Sequence, residues 1–231
     1  MKKENISDIV EEVFESGSRL AINMLLPIIG PIINEISDLP SRLSKKRKDR
    51  YFEAVITQLE RINENLIDKD FINSDDFVDI IQAIVNQITL RQAAQKAEFF
   101  ATLSVANMLQ TRPHCALDWQ CRFIEIIAKL NESEMYLLTA LNAHRAPGEA
   151  SLSGVSTPFG LERTEFELCF DSLISQGLVY DASLLGMPNA THMGIGGTPR
   201  PRERINISPL AKKAISFIPE VEQIVKNAMK K

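Results

Sequence analysis

The chain has 231 residues, 45% of them hydrophobic and only 6% aromatic, and a net charge of −4. That is enough apolar material for one large domain or two small ones. The acidic balance excludes a general polyanion binder, so any nucleic-acid contact has to come from a local patch. Three cysteines, Cys115, Cys121 and Cys169, are an odd number and no disulfide framework, which points to a reducing compartment.

The first nineteen residues, MKKENISDIVEEVFESGSR, are amphipathic. They carry acids where an export signal has its apolar segment, so no export signal is expected. Ser7 is placed to cap a helix over Ser7–Ser16, with Asp8, Glu11 and Glu12 at the positive end of its dipole. The most apolar stretch follows, Leu20–Ile36, LAINMLLPIIGPIINEI. Pro27, Gly30 and Pro31 break it, and the uninterrupted arm is far shorter than the roughly 20 residues a spanning helix needs. We read two short helical arms with a hinge, centred on Leu25, Leu26, Pro27, Ile28, Ile29, Gly30, Pro31 and Ile32. One reading is a hairpin buried in a helical core. The other is a releasable, membrane-active hairpin. The cationic run that follows, Arg42, Lys45, Lys46, Arg47, Lys48 and Arg50, would anchor it at anionic headgroups, because apolar insertion plus basic charge is the two-signal logic of reversible membrane binding.

Beyond Pro40, apolar residues recur at helical spacing. Tyr51, Phe52, Val55, Ile56, Leu59, Ile62 and Leu66 predict a helix over 44–67. Asp68–Ser74 reads as a turn. Ser74 then caps a helix bearing Phe77, Ile80, Ile81, Ile84, Val85 and Ile88 on one side. Helices over 91–110 and 117–130 follow, the first rich in small residues and ended by Pro113. The spacing from Tyr51 to Leu130 predicts an antiparallel helical bundle with short connections.

Asn131 with Glu134 has capping-box spacing before another helix. After a Gly/Ser/Pro-rich loop, Thr164 with Glu167 repeats that spacing before a helix ended by Gly177. Leu178-Val179-Tyr180 reads as a strand, 181–202 as a long loop, and Arg204–Ile207 as a returning strand. Ser208 and Pro209 open the last helix as cap and first-turn proline, and Pro219 is expected to kink or split it. Helix, helix, strand, loop, strand, helix is the order of a winged-helix module. The fold class is therefore mainly α: an N-terminal hairpin over 1–43, a helical bundle over 44–130, and a winged-helix-like module with a two-stranded wing over 131–231.

A recognition helix lies against phosphates and is normally basic. Here it offers Glu162, Glu165, Glu167 and Asp171 against the single Arg163, which argues against sequence-specific DNA binding. Arg200, Arg202 and Arg204 sit together in the wing and could touch a nucleic-acid backbone or another anionic surface. His114, Cys115 and Cys121 lie close together but lack the second ligand pair of a structural zinc site, so no metal is expected. No nucleophile elbow, phosphate loop or cofactor motif is found, and none of these residues is assigned a catalytic role.

Three stretches carry a family resemblance: KAEFFATLSVANML (Lys96–Leu109), FIEIIAKLNESEMYLLTAL (Phe123–Leu141), and LISQGLVY (Leu173–Tyr180) with ISPLAKKAISFI (Ile207–Ile218). Their order resembles the Abi-alpha abortive-infection family of bacterial anti-phage proteins, over roughly the last 140 residues of the chain. A glycine is usual in that family where Ala211 stands, and the loop between the two C-terminal strands is long here. The resemblance implies no catalytic residues. Taken with it, the chain is expected to be a non-enzymatic interaction or effector protein in phage defence, and the cysteine usage and the apolar-plus-basic segment place it in the cytoplasm or peripheral to the inner membrane face. Its partner would be a protein, a second copy, or an anionic membrane surface. The alternative is a winged-helix transcriptional regulator.

Overall fold

The computed structural model describes residues 42–88, 96–143, 163–181 and 205–229. Among these are eight α-helices and one two-stranded antiparallel sheet, so the fold is mainly α with a short wing. The apolar segment Leu20–Ile36 and the expected N-terminal helix over Ser7–Ser16 lie outside the described residues. The chain divides into two compact units, Met1–Lys129 with Pro219–Lys231, and Leu130–Ile218.

In the first unit, α1 (Arg42–Leu59), α2 (Lys69–Ile72), α3 (Asp75–Ile88), α4 (Ala97–Met108) and α5 (Leu117–Lys129) pack together. Ser74 caps α3 as expected: its hydroxyl accepts from the Phe77 N–H at 3.3 Å. Six α3 residues, Phe77, Ile80, Ile81, Ile84, Val85 and Ile88, are buried. They form a stripe broad enough to face α1, α4 and α5 at once.

α4 is different. Ala97, Phe100, Ala101, Leu103, Ser104, Val105, Ala106, Asn107 and Met108 are all buried, so most of its circumference is covered. A helix covered that way has no single apolar face and lies inside the core. Its small residues, three alanines and a serine among them, let neighbours approach closely. Its buried polar side chains have to find partners inside. Ser104 does so: its hydroxyl donates to the Phe100 carbonyl at 2.9 Å. The Ser104 proton is thereby committed, so Tyr51 of α1 donates its own hydroxyl to Ser104 Oγ across 2.6 Å. Burial pushes the Tyr51 hydroxyl well above its ordinary pKa, so it stays a donor at any working pH.

Two expectations fail in neighbouring stretches. α1 stops at Leu59 rather than running to Ile67, and the expected turn at Asp68–Ser74 contains the short helix α2. The backbone of 66–68 is drawn into pairing with the end of α4. Ile67 bridges Leu109, the Asp68 N–H donates to Met108 O at 2.8 Å, and the Gln110 N–H donates to Leu66 O at 2.9 Å. Extended backbone at Ile67, φ −84° and ψ 132°, cannot continue a helix. Asp68 then caps α2 by accepting from the Phe71 N–H at 3.0 Å. Its other oxygen takes a bond from Arg112, whose guanidinium lies 4.1 Å from the centre of the Phe71 ring.

α4 starts at Ala97, with Lys96 as its cap residue, and Arg91–Gln95 of the expected helix over 91–110 lie outside the described residues. The Lys96 ammonium reaches the end of α5, donating to the Ile127 carbonyl and, at 3.3 Å, to that of Ala128. A cation there meets the negative end of the helix dipole. Phe99 of α4 meets Phe123 of α5 edge-on, with ring centroids 6.0 Å apart.

In the second unit, α6 (Glu132–Ala143) opens on the expected capping box. Asn131 N–H donates to Glu134 Oε2 and Glu134 N–H to Asn131 Oδ1, both at 2.8 Å. α7 (Arg163–Ser175) begins one residue before Thr164, so Thr164 lies inside the helix and is not its cap. Gly177, at φ +69°, ends α7: Gly177 N–H bonds Ile174 O and Leu178 N–H bonds Leu173 O, the paired bonds of a Schellman stop. β1 (Val179–Asp181) starts one residue later than expected and pairs antiparallel with β2 (Ile205–Ile207), Tyr180 opposite Asn206. Ser208 caps α8 (Pro209–Met229), which belongs to this unit as far as Ile218, its hydroxyl accepting from the Ala211 N–H at 3.2 Å. Pro219 does not split this helix, and α8 runs unbroken through it.

Two consequences can be measured. Asn107 is fully buried; its amide nitrogen serves the Leu103 carbonyl at 2.9 Å, but its Oδ1 has no hydrogen-bond partner. Asn107→Leu removes that desolvated acceptor and should raise stability by about 1 kcal/mol, read as a higher urea midpoint at unchanged slope. The second concerns acid. The Phe71 N–H, then the Arg112 guanidinium, hold the Asp68 carboxyl below the usual carboxylate range, against some opposing desolvation. A carboxylate depressed in the folded state contributes stability above its unfolded pKa, and the contribution is lost as pH falls through the lower folded value. Asp68→Asn should therefore narrow its stability deficit against the native chain as the pH is lowered below about 4.

Candidate functional site

All six residues of the basic run lie on α1: Arg42, Lys45, Lys46, Arg47, Lys48 and Arg50. They occupy its N-terminal half with no acid in the first turn. That end of a helix carries the positive pole of the dipole, which disfavours cations by about 0.3–1 kcal/mol each in the first turn. The placement therefore does nothing for the helix itself. Arg47 is half-buried and Arg50 is exposed. Arg50 Nη2 holds Glu98 Oε1 of α4 at 2.8 Å, with the two side chains 59% and 72% exposed. A pair that open to water is worth little and is easily exchanged for another anion. Glu98 lies 48 residues from Arg50, and no spacing rule in the sequence could have joined them.

The second half of α1 is held firmly. Tyr51 and Val55 are 1% exposed and Leu59 is 6% exposed. Gln58 Nε2 donates to Thr102 Oγ1 of α4 at 3.1 Å. The helix thus places charges at one end and core contacts at the other. The apolar residues Leu25, Leu26, Pro27, Ile28, Ile29, Gly30, Pro31 and Ile32 lie outside the described residues, so the structure does not join them to this run.

In the C-terminal module, α7 turns Cys169, Phe170 and Leu173 inward. Outward it shows Glu167, Leu168 and Asp171. The two carboxylates would repel phosphates along a groove. Arg200, Arg202 and Arg204 of the wing lie outside the described residues.

Cys115 and Cys121 are half-buried thiols that form no disulfide, and Cys169 is a buried thiol on α7. Burial, with Asp79, Asp118 and Glu125 nearby, pushes the Cys121 thiol up. That suits a protonated side chain rather than a nucleophile. Among the described residues, no three histidine, cysteine or carboxylate side chains are grouped so as to hold a metal ion. Nor is any helix there long and apolar enough to cross a membrane. Comparison with protein-family models, with curated proteins and with solved structures yields no match.

Proposed function

We propose that the protein is a non-enzymatic effector that contacts an anionic membrane surface through the basic half of α1, with the neighbouring apolar segment Leu20–Ile36 as the inserting element. The observation that carries this reading is the electrostatic misfit of α1. Six cations crowd its N-terminal half, Arg42 and Lys45 in the first turn where the helix dipole opposes them, and the run follows the most apolar stretch of the chain. An anionic surface removes the misfit, at about 1 kcal/mol per cation near it. The resemblance to the Abi-alpha family supplies the biological setting, bacterial anti-phage defence, and the C-terminal module serves as a protein-contact element or a site for a second copy. The protein works in the cytoplasm and reaches the inner face of the membrane peripherally.

A winged-helix DNA-binding regulator is the second reading, favoured by the order α6, α7, β1, β2, α8. The carboxylates on the outward side of α7 weigh against it.

Co-sedimentation with phosphatidylglycerol-containing vesicles tests the first reading. The intact chain is expected to bind these and not pure phosphatidylcholine, with affinity falling as salt rises. Lys45→Gln, Lys46→Gln and Lys48→Gln together should weaken binding about a hundredfold. Dye leakage from the same vesicles should disappear on deletion of Leu20–Ile36. Equal binding to both vesicle types, or none to either, contradicts the proposal.

A further inference from the structure

α1 is one continuous helix, and its two halves share a single rigid body. Among the described residues, side-chain bonds to α4 run from Arg50 to Glu98 at 2.8 Å, Tyr51 to Ser104 at 2.6 Å, and Gln58 to Thr102 at 3.1 Å. They differ in character. The Tyr51–Ser104 bond is buried, and Val55 and Leu59 close over the same interface. The Arg50–Glu98 pair is open to water on both sides.

We infer that α1 meets the anionic lipid surface as a docked helix, with its contact to α4 intact, and that only the Arg50–Glu98 pair is exchanged, a lipid phosphate replacing Glu98 at the guanidinium. This rests on the membrane reading above and specifies how that surface is engaged. The physical ground is the asymmetry between the bonds. Undocking α1 would strip the Tyr51 and Ser104 hydroxyls of their partner and wet Val55 and Leu59 together with the α4 side chains they cover. Engagement needs none of this, because Arg50 is already 59% exposed. Exchanging one solvent-exposed anion for another costs little. The bound state is therefore a folded, cationic helix end laid on headgroups, not an extended basic tail.

Hydrogen exchange on the native chain, free and bound to phosphatidylglycerol-containing vesicles, tests the inference, with co-sedimentation measured on the same samples. The amides of 51–59 and 97–108 should exchange within about twofold of their free rates, because local opening of the α1–α4 contact is not part of binding. Sedimentation with the vesicles together with acceleration of these amides by about tenfold or more overturns the docked-helix inference and leaves the membrane reading standing. Failure to sediment overturns both. A second arm places Gln58→Cys and Thr102→Cys in a chain with Cys115, Cys121 and Cys169 replaced by alanine, and joins them with a short bis-maleimide. Unchanged vesicle binding after cross-linking supports the inference, and loss of binding on cross-linking overturns it.

Discussion

The first unit depends on keeping α4 out of water on most of its circumference. Only a narrow strip that includes Glu98 and Thr102 is left outside, so each polar side chain on the buried side must be answered within the core. Ser104 is answered twice, by its own helix at the Phe100 carbonyl and by Tyr51 of α1. That second bond selects where α1 sits, because only one rotation of α1 brings the Tyr51 hydroxyl to Ser104 while Val55 and Leu59 are buried. Asn107 is answered only in part: its amide nitrogen donates to the Leu103 carbonyl, and its Oδ1 has no partner. The end of α4 extends the same control to the connection before α2, where Met108, Leu109 and Gln110 pair with 66–68.

Local grammar was readable in the sequence wherever the partners are a few residues apart. Ser74, the Asn131–Glu134 capping box, the Gly177 stop and the Ser208–Pro209 start all rest on hydrogen bonds that span three to five positions. The stripe of α3 was equally plain, because a broad apolar face at helical spacing survives any tertiary arrangement. What was not readable came from partners far apart in the chain. Periodicity carried α1 on to Ile67, since Ile62 and Ile67 are indeed buried, but a bridge to Leu109 holds that backbone extended. Lys96 fell inside the helix expected over 91–110, and in the structure its ammonium serves the carbonyl end of α5. Thr164 was read two positions late as the cap of α7, within the ordinary slack of helix ends.

The candidate site was legible as charge and hidden as geometry. Six cations in nine residues are plain in the sequence. That they ride on a helix whose far end is fixed in the core is not, because it follows from Tyr51 finding Ser104, 53 positions away. The acids on the outward side of α7 carry the converse lesson. A winged-helix order of elements is a statement about connectivity, and the charges on the exposed face decide which surface it meets.

A double-mutant cycle on Tyr51→Phe and Ser104→Ala measures the bond on which this account turns. Each single change and the pair together are followed by urea unfolding. The account predicts a coupling of about 1 kcal/mol or more, because the two side chains share one buried bond. Additive effects, with no coupling beyond error, would mean that α1 is held to α4 by apolar contact alone, and that the Tyr51–Ser104 bond does not select its position.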